Sequence, residues 1–97
     1  MTNEEIWNIG LEERTDELSK LQSEYDRLDV ECRKAEFEKD MYARLRDVNN
    51  AMLYKQKFSE KYEKCARASE KLTKQKNALE NEISVLKKEI YYINSLI

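Results

Sequence analysis

From Leu11 to Ile97 the chain contains neither glycine nor proline; its one glycine is Gly10 and it has no proline at all. These residues punctuate a chain, so a run of this length without them offers few places for tight turns and favours long helix. Charged residues make up 39% of the chain and mean hydropathy is -0.93, so apolar side chains are too dilute to fill a globular core and must be concentrated by pattern.

That pattern is the heptad, in which apolar residues recur at alternating spacings of three and four and positions a and d form one seam. A first frame places Leu11, Leu18, Tyr25 and Cys32 at a and Leu21, Leu28 and Ala35 at d, with Arg14 its weak member. A second frame runs from Val48 to Ile97. Its a residues are Val48, Lys55, Tyr62, Ser69, Lys76, Ile83, Ile90 and Ile97; its d residues are Ala51, Phe58, Cys65, Leu72, Leu79, Leu86 and Ile93. Every d residue is apolar and half of the a residues are not. Polar a residues weaken a zipper but specify its register and partner number. The stretch Leu79–Lys88, LENEISVLKK, resembles the C-terminal heptads of the general-control type of leucine zipper, with leucine at d and a β-branched residue at a. The resemblance covers ten of 97 residues and implies helix pairing.

The two frames do not join. Extending the first puts a at Lys39 and Arg46, whereas the second needs Met41 and Val48, a displacement of two residues that no single stutter or stammer absorbs. Across the join, Phe37, Met41, Leu45, Val48 and Met52 follow a four-four-three-four spacing that marks one helical face but not a two-stranded seam. The chain therefore divides into 1–10, a helix start or docking segment opened by the capping box Thr2-Asn3-Glu4-Glu5; 11–35, an acidic heptad segment; 36–50, an irregular join or hinge; and 51–97, the second heptad segment.

Charge changes sign along the same divisions. Residues 1–40 hold 6 Lys and Arg against 13 Asp and Glu, a net of -7; residues 41–78 hold 10 against 4, a net of +6; residues 79–97 hold 2 against 3, a net of -1. A parallel in-register pair stacks like charges, whereas an antiparallel arrangement pairs opposite ones. Exposed pairs contribute only about 0–1 kcal/mol each, so charge can choose between topologies of similar core energy but cannot impose one. The fold expected is an all-α, elongated coiled coil, roughly 130–145 Å at 1.5 Å per residue, forming a parallel homodimer with a frame break near 36–50. The alternative is an antiparallel helical hairpin or bundle folded near Asp47-Val48-Asn49-Asn50, with Leu18, Leu21 and Leu28 against Leu72 and Leu79.

Chemistry of other kinds finds little support. The chain has no histidine, no glycine-rich phosphate loop and no nucleophile elbow, so no enzyme, cofactor or metal is expected. Cys32 and Cys65 lack metal-ligand spacing and read as reduced seam residues, in keeping with a cytoplasmic or nuclear location. No apolar run is long enough to span a membrane, and the first ten residues lack the basic lead and apolar core of a signal peptide. A basic-region zipper would need an arginine-rich helix in phase with asparagine; from Asn49, Met52 and Leu53 stand at its small-residue positions and Lys57 at its arginine. Lys55, Lys57, Lys61, Lys64, Arg67, Lys71, Lys74 and Lys76 could still meet phosphate nonspecifically, which leaves nucleic acid as a third reading.

The function expected is therefore non-enzymatic: self-association, and the positioning of at least one further protein, as in cytoskeletal, spindle or trafficking scaffolds. An adaptor hairpin that captures a helical ligand is the alternative. The candidate partner-binding residues are Ile6, Trp7 and Ile9 before the seam and Tyr91, Tyr92 and Leu96 beside it. Tryptophan is a favoured interface anchor, and with Val85 the tyrosines make the last turns apolar around more than half their circumference. On a continuous rod these two groups stand at opposite ends.

Overall fold

The two heptad frames become two α-helices. A computed structural model describes Met1–Ile97, with α1 over Asn3–Val48, α2 over Met52–Leu96, and Asn49, Asn50 and Ala51 between them. At the start of α1 the Glu5 N–H donates to Thr2 Oγ1 at 3.2 Å, the threonine half of the expected capping box. Glu4 and Glu5 in its first turn and Arg46 in its last complement the helix dipole, and the helix passes through Gly10 without a break. Helix α2 has no acid in its first turn and no base in its last, so its stability depends more on packing.

Asparagine is a weak helix former because its side chain competes for backbone hydrogen bonds. Here the Asn49 Oδ1 accepts from the Ala51 N–H at 3.1 Å, closing a turn in which no residue has positive φ. The chain can therefore reverse without glycine. Of the segment expected to be irregular, 36–48 is helical and only 49–50, with Ala51, leave the helix.

The helices pair antiparallel within two compact units, one of Met1–Arg27 with Asn77–Ile97 and one of Leu28–Lys76. In the first, the terminal unit, Arg14 Nε reaches Glu89 Oε2 at 3.0 Å and Gly10 lies against Ile93. In the second, the turn unit, Asp29 pairs with Lys76, Cys32 Sγ lies 3.4 Å from Thr73 Oγ1, and Cys65 Sγ lies 3.9 Å from Glu38 Oε2. The residue numbers of Gly10 and Ile93, of Arg14 and Glu89, and of Glu38 and Cys65 each total 103; those of Asp29 and Lys76, and of Cys32 and Thr73, total 105. A register midway between sets each a position of α1 opposite a d position of α2. Leu18 then opposes Leu86, Leu21 opposes Ile83 and Tyr25 opposes Leu79 in the terminal unit, while Cys32 opposes Leu72 and Ala35 opposes Ser69 in the turn unit. The sequence-based hairpin placed Leu18 and Leu21 too near the turn, against Leu72 and Leu79; a three-residue connection leaves no slack for that register.

The most buried residues, Leu28, Cys32, Ala35, Ser69, Ile83, Leu86 and Ile93, all occupy expected seam positions. The first frame also continues past Ala35, with Lys39, Tyr42 and Arg46 half-buried. Three apolar residues expected on the seam, and Lys55 among its polar ones, are exposed instead. Val48 ends α1 on its outer face, Ala51 belongs to the turn, and Ile97 follows the last helical residue, so none faces the opposite helix. Of the two folds weighed from sequence, the chain takes the hairpin. The seam that a parallel homodimer would present to a second chain is occupied by the chain's own other helix.

Candidate functional site

The terminal unit gathers the candidate partner-binding residues. Ile6, Trp7 and Ile9 open α1, Tyr91, Tyr92 and Leu96 close α2, and antiparallel pairing brings both groups into the same unit, not to opposite ends of a rod. Ile6, Trp7, Gly10, Arg14, Glu89, Tyr92 and Ile93 line a cavity of about 350 Å³. Tyr92 remains 62% exposed and Trp7 38%, while Ile93 is buried beneath them. The Arg14–Glu89 ion pair lies among these apolar walls, and Arg14 Nη1 also donates to the Gly10 carbonyl at 3.2 Å. An arginine at d is thus used as a cross-helix strut, its guanidinium joining the Glu89 carboxylate to the Gly10 carbonyl. Ile9, Tyr91 and Leu96 are exposed but do not line the cavity.

The polar seam residues of the turn unit find partners that the heptad frame alone did not reveal. Lys76 at a bonds Asp29, which also pairs with Arg33 at 3.1 Å. The Lys76 hydrogen bond holds the Asp29 carboxyl below its ordinary value; partial burial opposes the shift, and the charges of Arg33 and Lys76 reinforce it. Tyr62 at a lies under the Arg46 guanidinium, 5.1 Å from the ring centroid, and Tyr42 stacks on Phe58 at 6.3 Å with the Lys61 ammonium 5.4 Å from its ring. Ser69, small and buried, opposes Ala35, and its carbonyl accepts from the Thr73 hydroxyl at 2.8 Å. Sequence reasoning missed the cross-helix pairings, such as that of Asp29 with Lys76 47 positions away, because their meeting depends on the register.

Of the basic series in α2, Lys76 is committed to Asp29 and Lys74 pairs with Glu70 at 3.5 Å, while Lys55, Lys57, Lys61, Lys64, Arg67, Lys71 and Lys74 are all exposed. The acidic segment of α1 does not serve as their general partner. The terminal unit holds 5 Lys and Arg against 11 Asp and Glu, a net of -6, and the turn unit holds 13 against 9, a net of +4. Each unit therefore keeps its own sign, contrary to the expectation that acidic and basic halves neutralise each other across the hairpin.

Cys32 and Cys65 are both free thiols on the seam. No group of three or more Cys, Asp or Glu side chains is arranged to hold a metal ion, and no helix is long and apolar enough to cross a membrane. Comparison with protein-family models, with curated proteins and with solved structures found no match.

Proposed function

We propose that this chain is a non-enzymatic interaction module: a helical hairpin that docks an apolar helical segment of another protein at its terminal unit and self-associates through surfaces outside its internal seam. One observation carries the docking half of the reading, the convergence of Ile6, Trp7 and Tyr92 around a cavity floored by Ile93. Large aromatic side chains around a concave apolar site are the usual anchors of a protein interface. An amphipathic helix, with apolar residues on one face, is the partner such a groove accommodates. Pairing of two copies through the heptad seam itself, as in a parallel homodimer, would compete with the hairpin for the same residues. A reducing compartment, cytoplasmic or nuclear, suits the two free thiols.

Trp7 is the only tryptophan, so its fluorescence reports on this site alone. Display selection of helical peptides against the full chain is expected to enrich sequences with apolar residues at i, i+3, i+4 and i+7. These peptides should shift Trp7 emission to the blue and bind at least about tenfold more weakly to a Tyr92→Ala variant. Selected peptides that leave Trp7 emission unchanged and bind the variant as tightly would remove this site from the reading.

A further inference from the structure

The flank of α1 in the turn unit carries an apolar stripe that the hairpin covers only in part. Phe37, Met41, Leu45 and Val48 fall within about 80° of one another around the helix axis, in a stripe centred about 120° from the seam residues Ala35, Tyr42 and Arg46. Phe37 is 69% exposed and Val48 75%, while Leu45 is 37% exposed and Met41 half-buried. Phe37, Asp40, Met41, Arg44 and Leu45 line a groove of about 410 Å³ on this face. The stripe is the α1 part of the spacing that crosses the join between the heptad frames, and the seam of the hairpin does not account for the exposure of Phe37 and Val48.

We infer that this stripe pairs with the same stripe of a second copy, antiparallel and about a two-fold axis passing near residues 42 and 43. That axis sets Phe37 opposite Val48 and Met41 opposite Leu45, so each apolar residue meets another and the bulky ring fills the space beside the small side chain. Charge argues for the same arrangement. Asp40 and Arg44 lie on one flank of the stripe, and a two-fold of this kind brings like flank to like flank with direction reversed. Asp40 of each copy therefore faces Arg44 of the other, two equivalent ion pairs from one symmetry operation. A parallel two-fold pairing of the same stripe puts the two Asp40 and Arg44 flanks on opposite sides of the contact, where neither ion pair can form. The shared helix is only about three turns long, which places the contact at the small end of specific interfaces and makes the dimer concentration-dependent, with a dissociation constant on the order of micromolar.

This inference rests on the self-association half of the proposed function and is independent of docking at Trp7. Sedimentation equilibrium of the full chain from about 1 to 500 μM, a range that brackets a micromolar constant, separates the outcomes. A monomer–dimer equilibrium is expected. Phe37→Glu should weaken it by at least about tenfold, and Asp40→Arg and Arg44→Asp, each placing like charges opposite one another, should do so measurably. An equimolar mixture of those two charge variants should dimerise again, because in the mixed dimer both flank pairs regain opposite signs. Chains that had merely lost their fold could not do this, and circular dichroism checks helix content independently. A wild-type chain that stays monomeric throughout would overturn this inference and self-association together. A dimer indifferent to Phe37→Glu and to the charge mixture would overturn this surface alone and leave self-association to another.

Discussion

Asp29 shows how one side chain ties the fold to pH. Its carboxyl is held below the ordinary value chiefly by the Lys76 hydrogen bond, so the folded chain favours the ionised form more than the unfolded chain does. The unfolded state then binds the proton more readily on acidification. The stabilisation is present above the ordinary carboxyl value and is lost as pH falls through the lower, folded one. Asp29→Asn should melt below wild type at neutral pH, with the difference shrinking as pH drops under about 4; a difference constant from pH 7 to pH 3 would dissociate Asp29 from the effect. Gly10 makes the opposite case, a residue the fold does not require. Its φ is not positive, and a methyl group there would lie 3.4 Å from Arg14 Nη1 and 4.0 Å from Ile93 Cδ1, ordinary contacts. Gly10→Ala should therefore stabilise the chain by about 0.5–1 kcal/mol through reduced chain entropy, read as a rise in the urea midpoint.

At the scale of the helix, seam position decides the cost of a substitution. Leu28 at d is 4% exposed, whereas Val30, two residues along the same helix, is 66% exposed. Leu28→Ala should cost about 2–3 kcal/mol, near the lower end of core truncations because a two-helix seam is thin, and Val30→Ala about 0.5 kcal/mol or less. Urea denaturation of the pair checks the seam assignment, and equal costs would mean that Leu28 is not in it. The assignment itself was legible in the sequence. Leu21, Leu28, Leu72 and Leu86 announce the seam through spacing alone, because a helix repeats its faces whatever it packs against. Val48 and Ala51 were misplaced on it because the second frame can be extended backwards past Phe58 on paper. Nothing in a periodic pattern marks where the helix carrying it begins; that depends on local bonds such as the one from the Ala51 N–H to Asn49 Oδ1.

For the molecule as a whole, the mismatch between the frames weighs against a straight rod. A displacement of two residues on an uninterrupted helix turns the second seam about 200° away from the first, so a straight rod would present its two apolar stripes to opposite sides. Breaking the helix at 49–51 instead lets the stripes face each other. The hairpin can be measured directly: spin labels on a chain carrying Arg14→Cys and Glu89→Cys, with Cys32→Ser and Cys65→Ser, should report a distance under about 25 Å, a label-length margin on touching side chains. On a continuous helix the two sites are about 110 Å apart at 1.5 Å per residue, so a distance too long to detect at low concentration would exclude the hairpin. By itself the sequence determined that the chain is helical, which residues form its apolar seams, and that the two seams are out of phase, because all three follow from local propensity and period. Only the tertiary structure decided their direction and register and brought Trp7 and Tyr92 to one site. Those depend on where three residues leave the helix and on which side chains then meet, and neither is a property of any single stretch of sequence.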